Sequence, residues 1–171
     1  MAGSNSEVIR AAFARSIFAK SQLLESTDLT PRERARVREA IAGDIRKFSD
    51  LRAPEASDAA LALAETLGVD IRRFGWHHQY KFDPDRRQFL LEHVVPVREI
   101  GDRCCAAASE AEVANCLAEA RVAWILRTED EELRRLGYRS KRPDPAKAYS
   151  DAGISLEGLT YERHVPSADS T

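Results

Sequence analysis

Apolar residues recur at helical spacings through the first half of the chain. Val8, Ile9, Ala12, Phe13, Ile17 and Leu24 make one broad stripe, and Ser4 or Ser6 can cap the helix that carries it. Thr30-Pro31-Arg32-Glu33 then has the form of a capping box. Thr30 can accept from the Glu33 amide, Glu33 can reach back to the Thr30 amide, and Pro31 suits the first helical position. Val37, Ile41, Ile45 and Phe48 continue that helix at spacings of three and four. Ser57 and Asp58 open a short Ala-rich helix with Leu61, Leu63 and Leu67, stopped by Gly68.

The period changes after Gly68. Gln79-Tyr80-Lys81-Phe82 and Gln88-Phe89-Leu90-Leu91 read as two strands joined at Asp83-Pro84-Asp85-Arg86, a predicted hairpin. Pro96 ends the second strand or starts a helix, which is predicted over 97–108. A further helix is predicted from Ser109 to about Ala120, with Glu112 three residues after its cap. Val122-Ala123-Trp124-Ile125-Leu126 suits a buried strand, and Thr128 to Leu136 a short helix ended by Gly137. A last short helix or turn is expected around 146–152. The fold class is therefore α+β and mostly helical. A helical support region over 1–68 precedes a ββα-like region over 69–163 with a helical insertion, and 164–171 is a disordered tail that starts at His164. The whole reads as one compact domain.

Composition narrows the class without naming a function. Apolar residues are 43% and charged residues 32% of 171, as in ordinary folded proteins. No run of about 18 apolar residues is present, and the amino terminus lacks the charge and apolar pattern of a secretory signal. Cys104, Cys105 and Cys116 have no paired-ligand spacing and read as small core residues, which points to a reducing, cytoplasmic setting. The net charge of −2 gives no global attraction to nucleic acid. Basic residues are instead local. Arg134, Arg135, Arg139, Lys141, Arg142 and Lys147 follow the acidic run Glu129 to Glu132, and Lys81, Arg86 and Arg87 lie on the predicted hairpin.

Chemistry concentrates between Trp76 and His93. His77, His78 and His93 stand there with Asp83, Asp85 and Glu92, and imidazole and carboxylate oxygen are ligands for divalent cations. A neutral imidazole also takes protons near neutral pH. His77 and His78 equally suit a solvated loop after Trp76, and Trp76 and Trp124 suit the core. Neighbouring side chains on a strand point to opposite faces, so Glu92 and His93 serve one site only where the strand bends or ends, and Pro96 supplies a reason for it to end.

Glu92-His93-Val94-Val95-Pro96 resembles the first motif of the HNH endonucleases, the His-Me finger or ββα-metal group. The resemblance implies metal-dependent hydrolysis of phosphodiester bonds, with Glu92 as metal ligand and His93 as general base, and with Glu replacing the more usual Asp. The family's second strand and helix supply another ligand. Asp130, after the Trp124 strand, fits that order, and Asn115 is the other placement. His78 is an additional candidate ligand. The implied cofactor is Mg²⁺ or Mn²⁺, with Zn²⁺ also compatible, and the implied partner is nucleic acid, DNA first. Lys81, Arg86, Arg139, Lys141 and Arg142 are then expected to contact phosphates. A non-catalytic protein-interaction module of the immunity or accessory kind is the alternative.

Overall fold

The computed structural model describes residues 2–157 and 159, with side chains from Ser6 onward. The predicted tail and His164 lie outside the described residues. Among the described residues, seven α-helices and three strands follow in the order α1 (Ala2–Leu23), α2 (Pro31–Ser49), β1 (Glu55–Ala56), α3 (Asp58–Thr66), β2 (Phe89–His93), α4 (Val97–Ala106), α5 (Glu110–Ala118), β3 (Val122–Leu126), α6 (Arg127–Arg135) and α7 (Pro145–Asp151). The class is α+β and mostly helical, as the pattern predicts.

Local sequence explains most of the starts and stops. Thr30 and Glu33 form the reciprocal cap of α2, with Thr30 Oγ1 accepting from the Glu33 amide and Glu33 Oε2 accepting from the Thr30 amide at 2.8 Å. Ser57, Ser109 and Asp144 cap α3, α5 and α7 through their side-chain oxygens. Gly68 and Gly137 take positive φ where α3 and α6 stop. At α6 the cap comes from inside the helix, because Glu129 Oε2 accepts from the Leu126 amide at 2.7 Å and from Ser57 Oγ at 2.7 Å. That carboxylate ties the entry of α6 to the cap of α3.

β3 is the centre of the sheet. β2 pairs with it antiparallel, with Leu91 opposite Trp124, Glu92 opposite Ala123 and His93 opposite Val122. β1 pairs with its other edge, parallel. The predicted hairpin between 79 and 91 is corrected. Residues Trp76–Lys81 form a 3-10 helix, and the partner of β2 is β3, reached after α4 and α5. The reason is Asp83. Its carboxylate accepts from the amides of Arg87 (3.0 Å), Gln88 (3.1 Å) and Phe89 (2.9 Å), and from Gln79 Nε2 at 3.1 Å, which folds the connection onto itself.

Among the described residues, three clusters form the core. Ala14, Ile17, Ile41, Ile45, Ile100, Cys104, Val113 and Leu117 join α1, α2, α4 and α5 into a helical layer. Ala123, Ile125, Leu133, Ala148 and Tyr149 pack α6 and α7 on one face of the sheet. Ala60, Ala64, Ile71, Phe82, Phe89 and Trp124 pack α3 and the 3-10 stretches on the other. Trp124 is fully buried, with Phe82 edge-on at 5.2 Å and its indole N–H donating to the Phe74 carbonyl at 2.8 Å. Two apolar expectations are corrected. Val8 and Ile9 stay exposed on α1, and α3 turns Ala60 and Ala64 inward while Leu67 stays exposed.

Candidate functional site

β2 stays in register with β3 through His93, so the alternation of a regular strand reaches the end of the motif. Glu92 shares a face with Leu90, Ala123 and Ile125. His93 shares the opposite face with Leu91, Val122 and Trp124. Pro96 acts three residues too late to bring the two together; it leads directly into α4.

On the Glu92 face the carboxylate has a partner already. Arg142, whose side chain is fully buried, donates through Nη2 to Glu92 Oε1 at 2.7 Å. The same guanidinium donates to the carbonyls of Tyr138 (2.8 Å), His93 (2.7 Å) and Val94 (3.3 Å), and lies 5.6 Å from the Tyr149 ring centroid. Burial pushes the Glu92 carboxyl up, Arg142 pulls it back down, and nearby Asp130 adds to the rise. Asp130 is itself buried and paired with Arg134 at 2.8 Å. The order β2-β3-α6 therefore does place Asp130 near Glu92. It also gives each carboxylate its own guanidinium.

The His93 face holds a cavity of about 310 Å³ lined by Arg46, Asp50, Trp76, His77, Leu91, His93 and Val122. Nε2 of His93 is buried and has no hydrogen-bond partner. Desolvation, with Arg46 and Arg142 nearby, holds the imidazole down at about 4, so it is neutral through the physiological range. Arg46 and Asp50 stand one turn apart at the end of α2, and Trp76 and His77 begin the 3-10 stretch. Trp76, expected in the core, is 44% exposed. Arg86 lies over its ring at 4.5 Å and the His77 ring meets it edge-on at 5.1 Å.

The candidate metal ligands Glu92, Asp130 and His78 and the expected base His93 do not meet at one centre. Glu92 and Asp130 share a face; His93 is on the other, and His78 is exposed beside Phe74. Among the described residues no three His, Cys, Asp or Glu side chains are placed to hold a metal ion. Asn115, the other placement, is exposed on α5 within the helical layer. Of the basic residues expected to contact phosphates, Lys81, Arg139 and Lys141 are exposed and Arg86 is half-buried against Trp76. Arg142 is corrected to a core residue, since its donors all serve protein acceptors or point into the fold. Sequence reasoning missed Arg46, Asp50 and the exposure of Trp76, because the cavity joins residues far apart in the chain and no local spacing marks it.

Comparison with known proteins returns no match: no family model, curated protein or solved structure aligns with the chain.

Proposed function

We propose that the chain hydrolyses phosphodiester bonds in nucleic acid, and that the chemistry sits in the His93 cavity rather than at a Glu92-His93 pair. One observation carries the reading. A neutral imidazole, its Nε2 buried and unpartnered, lines with a guanidinium a cavity large enough for a phosphate and a sugar or base. Unsatisfied buried nitrogens are uncommon, and one on a cavity-lining residue is suited to accept a proton from a molecule whose binding uncovers it.

In this reading Arg46 holds the phosphate and His93 accepts the proton of the attacking water. The water oxygen bonds to phosphorus, the bond to the leaving oxygen breaks, and that oxygen takes a proton from solvent. An anionic phosphate beside His93 offsets Arg46 and makes the imidazole a stronger base than it is in the empty cavity. No step is assigned to a metal, because Glu92 and Asp130 lie on the face of the sheet opposite His93.

Cleavage of plasmid, single-stranded DNA and RNA, with Mg²⁺, with Mn²⁺ and with EDTA, tests this. His93→Ala is expected to lower the rate by about 100-fold or more, the usual scale for a general base. Glu92→Gln is expected to leave it within several-fold, since Glu92 faces away. The reading is lost if the protein cuts nothing, or cuts equally well as His93→Ala.

A second reading, a non-catalytic protein-interaction module, is favoured by a different surface. Val8 and Leu51 are 65% and 61% exposed, and Ile9, Phe48 and Leu51 line a cavity with Arg10 and Arg52.

A further inference from the structure

We infer that Trp76, with Arg86 over its ring, is a base-stacking platform that selects single-stranded nucleic acid and delivers its phosphate to the His93 cavity. The inference rests on the nucleic-acid reading above and adds the strandedness of the substrate.

An indole 44% exposed beside a cavity gives up favourable burial unless something covers it. What surrounds Trp76 indicates the chemistry of that cover. Arg86 sits 4.5 Å from the ring centroid, and it adopts φ of +52°, a left-handed conformation uncommon for a side chain of this size. Its carbonyl accepts from Arg127 Nε at 2.5 Å, which holds the turn at the end of β3. The strained residue thus places a guanidinium over an aromatic surface, a pairing that stacks with bases and attracts phosphate. Tyr80, on the same 3-10 stretch, is 56% exposed, and Lys81 and Arg87 add exposed positive charge. Opposing charges are few here. Asp83 is buried and hydrogen-bonded, leaving Asp85 on the turn and Asp50 in the cavity.

Strandedness follows from shape. A duplex keeps its bases stacked on one another, and only an unpaired or splayed base offers a face to an indole. Trp76 lines the same cavity as Arg46 and His93, so a base stacked there brings its own phosphate towards Arg46.

The chain carries its own probe. Trp124 is fully buried, so binding at the platform alters the emission of Trp76 alone. The full chain is titrated in EDTA, which prevents metal-assisted cleavage, with a 12-residue oligo(dT), an oligo(U) of the same length and a DNA duplex. The expected result is saturable quenching by both single strands, with the duplex at least about 10-fold weaker. Followed by anisotropy of a labelled oligo(dT), Trp76→Ala weakens binding about 10-fold or more and Trp76→Phe recovers part of it. Arg86→Ala weakens binding and lowers the salt slope by about one. Circular dichroism confirms that each variant is folded. Equal affinity for duplex and single strand, or unchanged binding by Trp76→Ala, overturns the platform. Quenching without cleavage in any metal supports the platform and removes the hydrolytic reading. Duplex cleavage that is indifferent to Trp76 removes the platform and leaves hydrolysis standing.

Discussion

Arg142 and Glu92 form the most buried ion pair described, and the two side chains cannot be treated separately. The guanidinium is fully buried and meets three backbone carbonyls besides Glu92. Removing one partner strands the other charge in the interior, which costs about 3–5 kcal/mol. Arg142→Ala is expected to lower unfolding free energy by that amount in urea, and Arg142→Ala with Glu92→Gln to recover part of it. His93 gives a separate signature. Its folded value of about 4 lies below its ordinary 6.5, so the unfolded chain takes up the proton first as pH falls. Stability present above about pH 6.5 is therefore lost progressively towards pH 4, by up to about 3 kcal/mol. Urea midpoints measured between pH 7.5 and 5 should fall in the parent chain and stay nearly flat in His93→Leu. A fall of equal size in both would remove the buried neutral imidazole from the account.

The 3-10 stretch and its following turn depend on one carboxylate. Burial alone would push Asp83 up, but the amides of Phe89, Arg87 and Gln88 and the side chain of Gln79 hold it below its usual value. Its contribution is present at neutral pH and lost as pH falls through the lowered value. Asp83→Ala removes the acceptor of three amides and of one of the two Gln79 Nε2 hydrogen bonds, the other going to the Phe89 carbonyl, and a loss of at least about 2 kcal/mol is expected. The loosened turn should also raise the solvent exposure of Trp124, read as a red shift, because Phe82 packs on that ring. This element also marks where the sequence misled. Gln79-Tyr80-Lys81-Phe82 has the alternation of a strand, and nothing local distinguishes a carboxylate that will close a turn from one that will sit in solvent. The capped helices and the Trp124 strand were legible because caps and apolar runs are local signals. β1, two residues long and paired in parallel, has no such signal. The candidate site divided in the same way. The motif Glu92-His93 was visible, and so was the alternation that sends its two side chains apart. Burial of Arg142 was not, since Arg139 and Lys141 nearby are exposed in the same basic run.

At the scale of the molecule, the helical layer and the sheet are interleaved in sequence. α4 and α5 leave the end of β2, pack against α1 and α2, and return to β3. β1 precedes residue 68 and still supplies a strand to the same sheet. Glu55 on β1 holds Arg121, at the start of β3, through two hydrogen bonds of 2.6 Å. The His93 cavity depends on the same interleaving, because Arg46 and Asp50 come from α2 and the remaining lining from beyond Val69. A chain beginning at Val69 therefore loses a strand, the apolar partners of α4 and α5, and one wall of the cavity. It is expected to expose Ile100, Cys104, Val113 and Leu117, and to lack a fixed environment around Trp124. Near-ultraviolet circular dichroism of that fragment should be nearly featureless, while the full chain unfolds in one transition seen alike by fluorescence and far-ultraviolet signal. A fragment with the near-ultraviolet spectrum of the full chain would show that the sheet stands alone. The first residues would then support the cavity only through Arg46 and Asp50, and adding the fragment of residues 1–68 should restore oligonucleotide binding without changing the spectrum.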